Sequence, residues 1–432
     1  MKYYSTKNKD IAVNLKTAVL KSLPPDNGLY LPEQVEPLSK NFFTYLDKLS
    51  LQDIAYEASR QFLEEDFSGA EIADITAEAI NFAAPVIALN DQLSIQELWH
   101  GPSLAFKDFG ARFMANIMGR LVADEDRKLT ILVATSGDTG GAVAAGFLGV
   151  EGVEVIILYP KGKVSPLQEK QLTTQGQNIT ALEVDGTFDD CQALVKKAFL
   201  DQEINDQYLL SSANSINIAR LIPQSFYYFE GYKEVMDGDI LVNFCIPSGN
   251  FGNLTAGLLA RRMGLPINKL IAATNVNDVV PRYLESGSYD PMKSIQTVSN
   301  AMDVGNPSNF RRIENLFDQN WSSVKEVIVG YRYTDDQTCA AVKEVHDQHD
   351  YIIDPHGAVG FLAAQEYAQH HGDQKTVILE TAHPAKFLPV MEPILGKIDV
   401  PDRLAVLSEK EKSAISMSID FEPFKAWLRS RA

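Results

Sequence analysis

Residues 241–264 read LVNFCIPSGNFGNLTAGLLARRMG. A β-rich apolar run passes into two glycines and three polar residues, and helical apolar spacing begins at once. A short apolar run bounded by turn residues fits a strand buried on both faces, as in a parallel sheet. A glycine turn between strand and helix aims backbone N–H groups and the positive end of the helix dipole at one point. That arrangement binds phosphate without a lysine, through Ser248, Gly249, Asn250, Phe251, Gly252 and Asn253. A tight turn with no ligand would look the same. The spacing is neither the Walker pattern nor the dinucleotide fingerprint, so a nucleotide is not the favoured anion.

Residues 129–141, LTILVATSGDTGG, repeat the design, and the helical AVAAGFLG follows. Ser136 and Thr139, with the free backbone donor of Gly137, suit a carboxylate or a second anion. Asp138 is awkward for an anion and would instead accept a hydrogen bond from a ligand hydroxyl. Helix capping by Ser136 or Asp138 is the plain alternative. Further strands are expected at 153–159, 179–184, 270–275, 327–331 and 377–380, with a helix at 189–200. Strands alternating with helices imply an α/β fold with parallel sheets covered on both faces. Ligands in such sheets bind at the carboxyl ends of the strands, where both glycine loops fall.

Residues 100–110, HGPSLAFKDFG, add a lysine behind small and apolar residues, opening an amphipathic segment. An ammonium is strongly hydrated and shifts its pKa readily when buried, which suits such a lysine to work as a Schiff-base or general-base amine. An ordinary solvated surface lysine is the plain alternative. One lysine and two anion-binding loops together suggest pyridoxal 5'-phosphate, which needs an amine for its aldehyde, a cradle for its phosphate and a partner for its ring nitrogen.

The rest of the chain sets bounds. At 432 residues, two or three domains are expected. The composition, 45% hydrophobic and 22% charged, is that of a soluble globular protein. No apolar run reaches the roughly 18 to 20 residues that cross a bilayer. The polar start MKYYSTKNKD lacks the layout of a signal peptide. Cys191, Cys245 and Cys339 are too few and too far apart for a disulfide framework or a zinc site, so a reducing cytoplasm is expected. A net charge of −18 argues against nucleic acid and anionic membranes as partners, and requires any phosphate site to be built locally. Residues 1–78 form a first unit with a turn at Asn27-Gly28 and a helix capped at Ser68; residues 408–432 form a mostly helical tail.

The motifs HGPSLAFKDFG, TSGDTGG, SGNFGN and ETAHPAKF (residues 380–387) resemble those of the threonine synthase family, fold-type II pyridoxal-phosphate enzymes related to tryptophan synthase β. YYST near the start, PDNGLYLPE at 25–33 and YPKGKVSPLQEKQL at 159–172 add to the resemblance, which covers nearly the whole chain in matching order. Ser103 stands where the family often has threonine, and keeps the hydroxyl. The resemblance implies two parallel-sheet-containing domains plus a smaller N-terminal unit: 79–119 with 206–407 as the large cofactor-binding domain and 120–205 as a small α/β domain inserted in it. It implies that Lys107 carries the cofactor, that 249–253 hold its phosphate, that Thr381 lies near the ring nitrogen, and that Ser136, Gly137, Asp138 and Thr139 meet the substrate carboxylate and the ring hydroxyl. Many relatives with other activities carry asparagine in place of Asp138.

The activity implied is that of a carbon–oxygen lyase acting on phosphate, converting O-phospho-L-homoserine and water to L-threonine and phosphate in a monomer or homodimer. A related dehydratase or phospholyase, or a catalytically silent binding protein, would share much of the pattern. The substrate's own phosphate needs cations, for which Lys163, Lys161, Arg112 and Arg220 are candidates. His356 and His383 are expected to pack or shape loops. Tyr227, Tyr228 and Phe229 are expected in the core, and Asp335-Asp336 at a helix start. His346 and His349, on a polar helix without acidic partners, do not suggest a metal.

Overall fold

The computed structural model describes every residue except Asp124, Asp126, Asp239, Asp373 and Ala432. Near the N-terminus, β1 (Tyr3–Ser5), β2 (Ala12–Val13) and β3 (Tyr30–Pro32) make a small antiparallel sheet. The turn expected at Asn27 is present, with φ of 57°. Ser68 caps the helix Gly69–Ala79 in a reciprocal box with Glu71.

Two larger sheets follow. The first contains β4 (Val86–Ala88), β5 (Leu93–Glu97), β10 (Val242–Pro247), β11 (Ile267–Thr274), β12 (Ile328–Arg332) and β13 (Thr376–Glu380), in the order β12-β11-β10-β13-β5-β4. Every pair is parallel except β4 with β5. The second contains β6 (Leu129–Ala134), β7 (Val153–Pro160), β8 (Ile179–Val184), β9 (Leu209–Ser212) and β14 (Ile415–Met417), in the order β14-β8-β7-β6-β9, all parallel. β6 and β10 are buried at every position, as strands covered on both faces must be.

Each strand expected from the sequence is present, with only its ends moved. Sheet pairing runs past two of the expected limits, however. β9 joins the second sheet beyond residue 205 by pairing with β6. The tail is not only helical, because Ile415–Met417 pairs with β8, while the helix Phe421–Arg429 buries Phe424 and Leu428 in the apolar cluster that this sheet shares with its covering helices. Three residues carry no periodicity of their own, so only the partner strand makes β14 a strand. Among the described residues no helix is long and apolar enough to cross a membrane.

Candidate active site

β10, β13 and β5 are neighbours, so their carboxyl ends place three loops side by side. The loop after β5 is fastened to the one after β13: Leu98 N–H donates to Glu380 O at 3.0 Å, Phe106 N–H to Thr381 O at 2.9 Å and His383 N–H to Leu104 O at 3.1 Å. Ala105 and Ala382 form a β-bridge between them. This fastening sets Lys107, the first residue of the helix Lys107–Leu121, next to the turn that carries Thr381. Thr381 is buried, and its hydroxyl makes no hydrogen bond among the described residues.

The second sheet contributes Asp138, at the start of the helix Asp138–Phe147 that follows β6. Its Oδ2 lies 3.5 Å from Lys107 Nζ. Its Oδ1 accepts from Lys386 Nζ at 2.6 Å and from Gln168 Nε2 at 2.8 Å. Burial pulls the Lys107 amine below the ordinary 10.5, the Asp138 carboxylate opposing and the Lys386 and Arg220 charges adding to the effect. For Asp138, burial alone would favour the neutral acid, but the charges of Lys386 and Lys107 outweigh it and hold the carboxylate ionised. The capping expected of Ser136 or Asp138 falls instead to the Thr135 hydroxyl, which accepts from Gly137 N–H at 3.0 Å and Gly140 N–H at 2.9 Å. Ser136 and Thr139 remain half-buried at the mouth of the loop. Gly137 has φ of 141°, and the Gln168 amide lies 2.7 Å from where a Cβ would stand, so no other residue fits there.

In the loop after β10, the side chains hold the shape and the backbone is left free. Ser248 Oγ donates to Ile246 O at 2.9 Å, Asn253 Nδ2 to Pro247 O at 2.8 Å, and Asn250 Oδ1 accepts from Ser308 N–H at 3.0 Å. Phe251 takes the left-handed conformation, with φ of 60°. A Cβ on Gly249 would come within 2.6 Å of Ala301 O. The N–H groups of Gly249, Asn250, Phe251, Gly252 and Asn253 find no acceptor among the described residues, and they open the helix Gly252–Arg262. A row of unpaired donors at a helix start fits a phosphate group.

The candidate cations divide. Arg112 is a correction: its Nε donates to Ala79 O at 2.9 Å and a terminal nitrogen to Glu78 O at 2.5 Å, closing the end of the helix Gly69–Ala79. At about 100° per residue, five residues place it on a different face of the helix from Lys107. Lys161 and Lys163 are exposed on the turn after β7, in no ion pair among the described residues. Arg220 is buried, donates to Ala213 O at 2.5 Å, and its Nε has no partner among the described residues.

His356 lies between Asp354, 2.6 Å from its Nδ1, and the Ala301 N–H, which donates to Nε2 at 3.1 Å. It thereby supports the segment that covers Gly249. His383 Nδ1 accepts from Ala385 N–H at 3.1 Å, and burial pushes its pKa down to about 4, so it shapes the loop as a neutral ring. Tyr227, Tyr228 and Phe229 are core residues. Thr334 caps the helix whose first turn holds Asp335 and Asp336.

Sequence reading missed Lys386, Gln168 and Gln171. Lys386 is fully buried and also donates to Ser103 O at 2.8 Å, which Gln171 Nε2 reaches at 2.9 Å. The signal was in the chain: Ala385-Lys386-Phe387 places a lysine in the same small and aromatic company as Ala105-Phe106-Lys107.

Comparison with known proteins agrees with this geometry. The family described as pyridoxal-phosphate dependent enzyme matches residues 82–381, flanked by matches to the threonine synthase N terminus at 2–80 and the threonine synthase C-terminal family at 357–427. Threonine synthase from Serratia marcescens is 41% identical, covering 99% of both chains. The crystal structure of threonine synthase from Escherichia coli superposes with a TM-score of 0.93 at 40% identity over 100% of both chains. That of pyridoxal-phosphate-bound threonine synthase from Brucella melitensis gives 0.93 at 35% identity, over 100% of this chain and 99% of the other. The chain belongs to the threonine synthase family of pyridoxal-phosphate-dependent enzymes.

Proposed function

We propose that Lys107, Asp138, Thr381 and the loop 248–253 bind pyridoxal 5'-phosphate and make O-phospho-L-homoserine and water into L-threonine and phosphate. The observation that carries this assignment is a buried lysine amine with lowered pKa, 3.5 Å from an ionised carboxylate, beside a row of unpaired backbone donors. Lys107 would supply the amine, the N–H groups from Gly249 to Asn253 would take the cofactor phosphate, and the Thr381 hydroxyl would meet the ring nitrogen, with Asp138 on the side of the ring hydroxyl. Ser136 and Thr139 hold the substrate carboxylate at the mouth of the other loop; the Gly137 N–H, expected as a free donor, is taken by the Thr135 hydroxyl.

When bound, the cofactor takes up the negative charge left on carbon as a proton is removed. The work of the protein is to place one amine correctly. Lys107 Nζ would take protons from the substrate's α and β carbons and deliver protons to the α and γ carbons. Phosphate leaves the γ carbon, which receives a proton in its place; the hydroxyl of water adds at the β carbon, and the remaining proton of that water goes with the phosphate. Lys163, with Lys161 beside it, meets the substrate phosphate from the turn after β7. The division into a large domain of 79–119 with 206–407 and a small domain of 120–205 is extended by β9 and β14 to a small unit that includes 209–212 and 415–417. A cytoplasmic monomer or homodimer with no nucleic-acid partner fits the net charge of −18.

Product analysis with O-phospho-L-homoserine tests the reaction. Threonine is expected; 2-oxobutanoate with ammonia would replace the proposal with a lyase that stops after elimination. Run with Lys107→Ala, the same assay should show no turnover, with the absorbance band of lysine-bound cofactor lost. With Lys163→Ala it should show a raised KM and an unchanged cofactor spectrum. Unchanged kinetics in either variant would remove that residue from the site.

A further inference from the structure

Asp138 lies between two lysines at unequal distances. Lys386 Nζ is 2.6 Å from Oδ1, while Lys107 Nζ is 3.5 Å from Oδ2. The nearer lysine is completely buried, whereas the Lys107 side chain keeps 17% of its exposure. Gln168 shares Oδ1 with Lys386, and Lys386 spends a further N–H on Ser103 O at 2.8 Å. The carboxylate is thus fastened on one side, to buried residues, and turns its other oxygen towards Lys107. Lys386 follows β13 of the first sheet and Asp138 follows β6 of the second, so their ion pair also ties the two sheets together beside the site.

We propose that Lys386 is a positioning residue that takes the close pairing with the Asp138 carboxylate, so that Lys107, in the longer contact, is left as a reactive amine. The inference rests on the reading of Lys107 as the cofactor's lysine. A buried carboxylate beside a single lysine would hold that lysine as ammonium, which can neither attack an aldehyde nor accept a proton. A second, better-placed cation compensates the carboxylate and adds a like charge near the first. The other groups facing Lys107 are Arg220, whose charge acts in the same direction, and the Phe106 ring, 4.9 Å from Nζ. Asp108 and His383 are the further titratable groups close to Lys386. His383 is neutral, as above, and Asp108 lies on the far side of Ser103, whose N–H donates to its Oδ2 at 2.8 Å.

The test needs no turnover. In the full-length protein stripped of cofactor, competitive labelling with acetic anhydride, read by mass spectrometry at Lys107, gives the pH midpoint at which that amine becomes reactive. In the unaltered protein the midpoint should lie below the ordinary 10.5, and a value at or above it overturns the proposal. Lys386→Met should raise the midpoint by roughly one pH unit or more. Lys386→Arg, which keeps the charge, should leave it near that of the unaltered protein. An unmoved midpoint in Lys386→Met, or an equal rise in both variants, overturns the proposal. Should Lys386→Met not fold, Lys386→Gln is judged by the same criterion. The underlying reading fails differently, through a Lys107→Ala protein that still shows cofactor absorbance and turnover.

Discussion

Replacing Asp138 by asparagine removes one charge from the centre of the site and keeps its shape. Lys386 and Asp138 have side-chain exposures of 0% and 4%, so neither charge has water to fall back on. Breaking a buried pair by deleting one partner costs about 3–5 kcal/mol, because the other charge stays buried and uncompensated. The asparagine oxygen can still accept from Gln168 and Lys386, which places the expected loss near about 3 kcal/mol. The pKa of Asp138 lies below the ordinary 3.8 in the folded chain, so its contribution is complete above that pH and fades only as the pH falls through the folded value. Urea unfolding of the cofactor-free protein at neutral pH should therefore show the full loss. Adding Lys386→Met to Asp138→Asn removes the stranded charge and should recover most of it, so the cycle should give a coupling of about 2 kcal/mol or more. Strictly additive losses, or a single-variant loss under about 0.5 kcal/mol, would refute a buried ion pair at this position.

Two further predictions use neighbouring groups. Burial raises the Asp108 carboxyl from the ordinary 3.8 to about 6, a change corresponding to about 3 kcal/mol. The folded chain holds the proton more tightly than the unfolded one, so this group's share of the stability is present below about pH 4 and is lost as pH rises through about 6. Asp108→Asn should thus gain on the unaltered protein by up to about 3 kcal/mol between those limits in denaturation curves, and a pH-independent difference would count against the raised value. Gly249→Val should lower cofactor affinity at least about tenfold, the equivalent of about 1.4 kcal/mol of misfit, since its Cβ would press on the Ala301 carbonyl. Cofactor absorbance after equilibrium dialysis reads this directly, and unchanged occupancy would move the phosphate elsewhere.

The parts legible in the sequence are those whose cause is local. β6 and β10 are continuous apolar runs, and the turns after them contain Gly137 and Gly249 at positions where a Cβ would collide. Lys107 stood out because a charge in apolar company is rare enough to need a reason. Strand–turn–helix units place such loops at the carboxyl edge of a parallel sheet whatever the rest of the chain does. The sequence by itself therefore determined the α/β class, the two glycine turns proposed here as anion sites and the buried lysine proposed as the cofactor's amine.

Tertiary structure decided what those turns face. Arg112, five residues from Lys107, points away to cap another helix, while Lys386, 279 residues along the chain from Lys107, reaches the same carboxylate. Neither fact has a local signature, because the direction of a side chain on a helix matters only once a neighbour is packed against it. β14 is a strand only because β8 offers it an edge. The charge state of the site is likewise non-local. Two sheets meet and bring a second, fully buried lysine to Asp138 at 2.6 Å, against 3.5 Å for Lys107, where low polarisability makes each ångström of separation count.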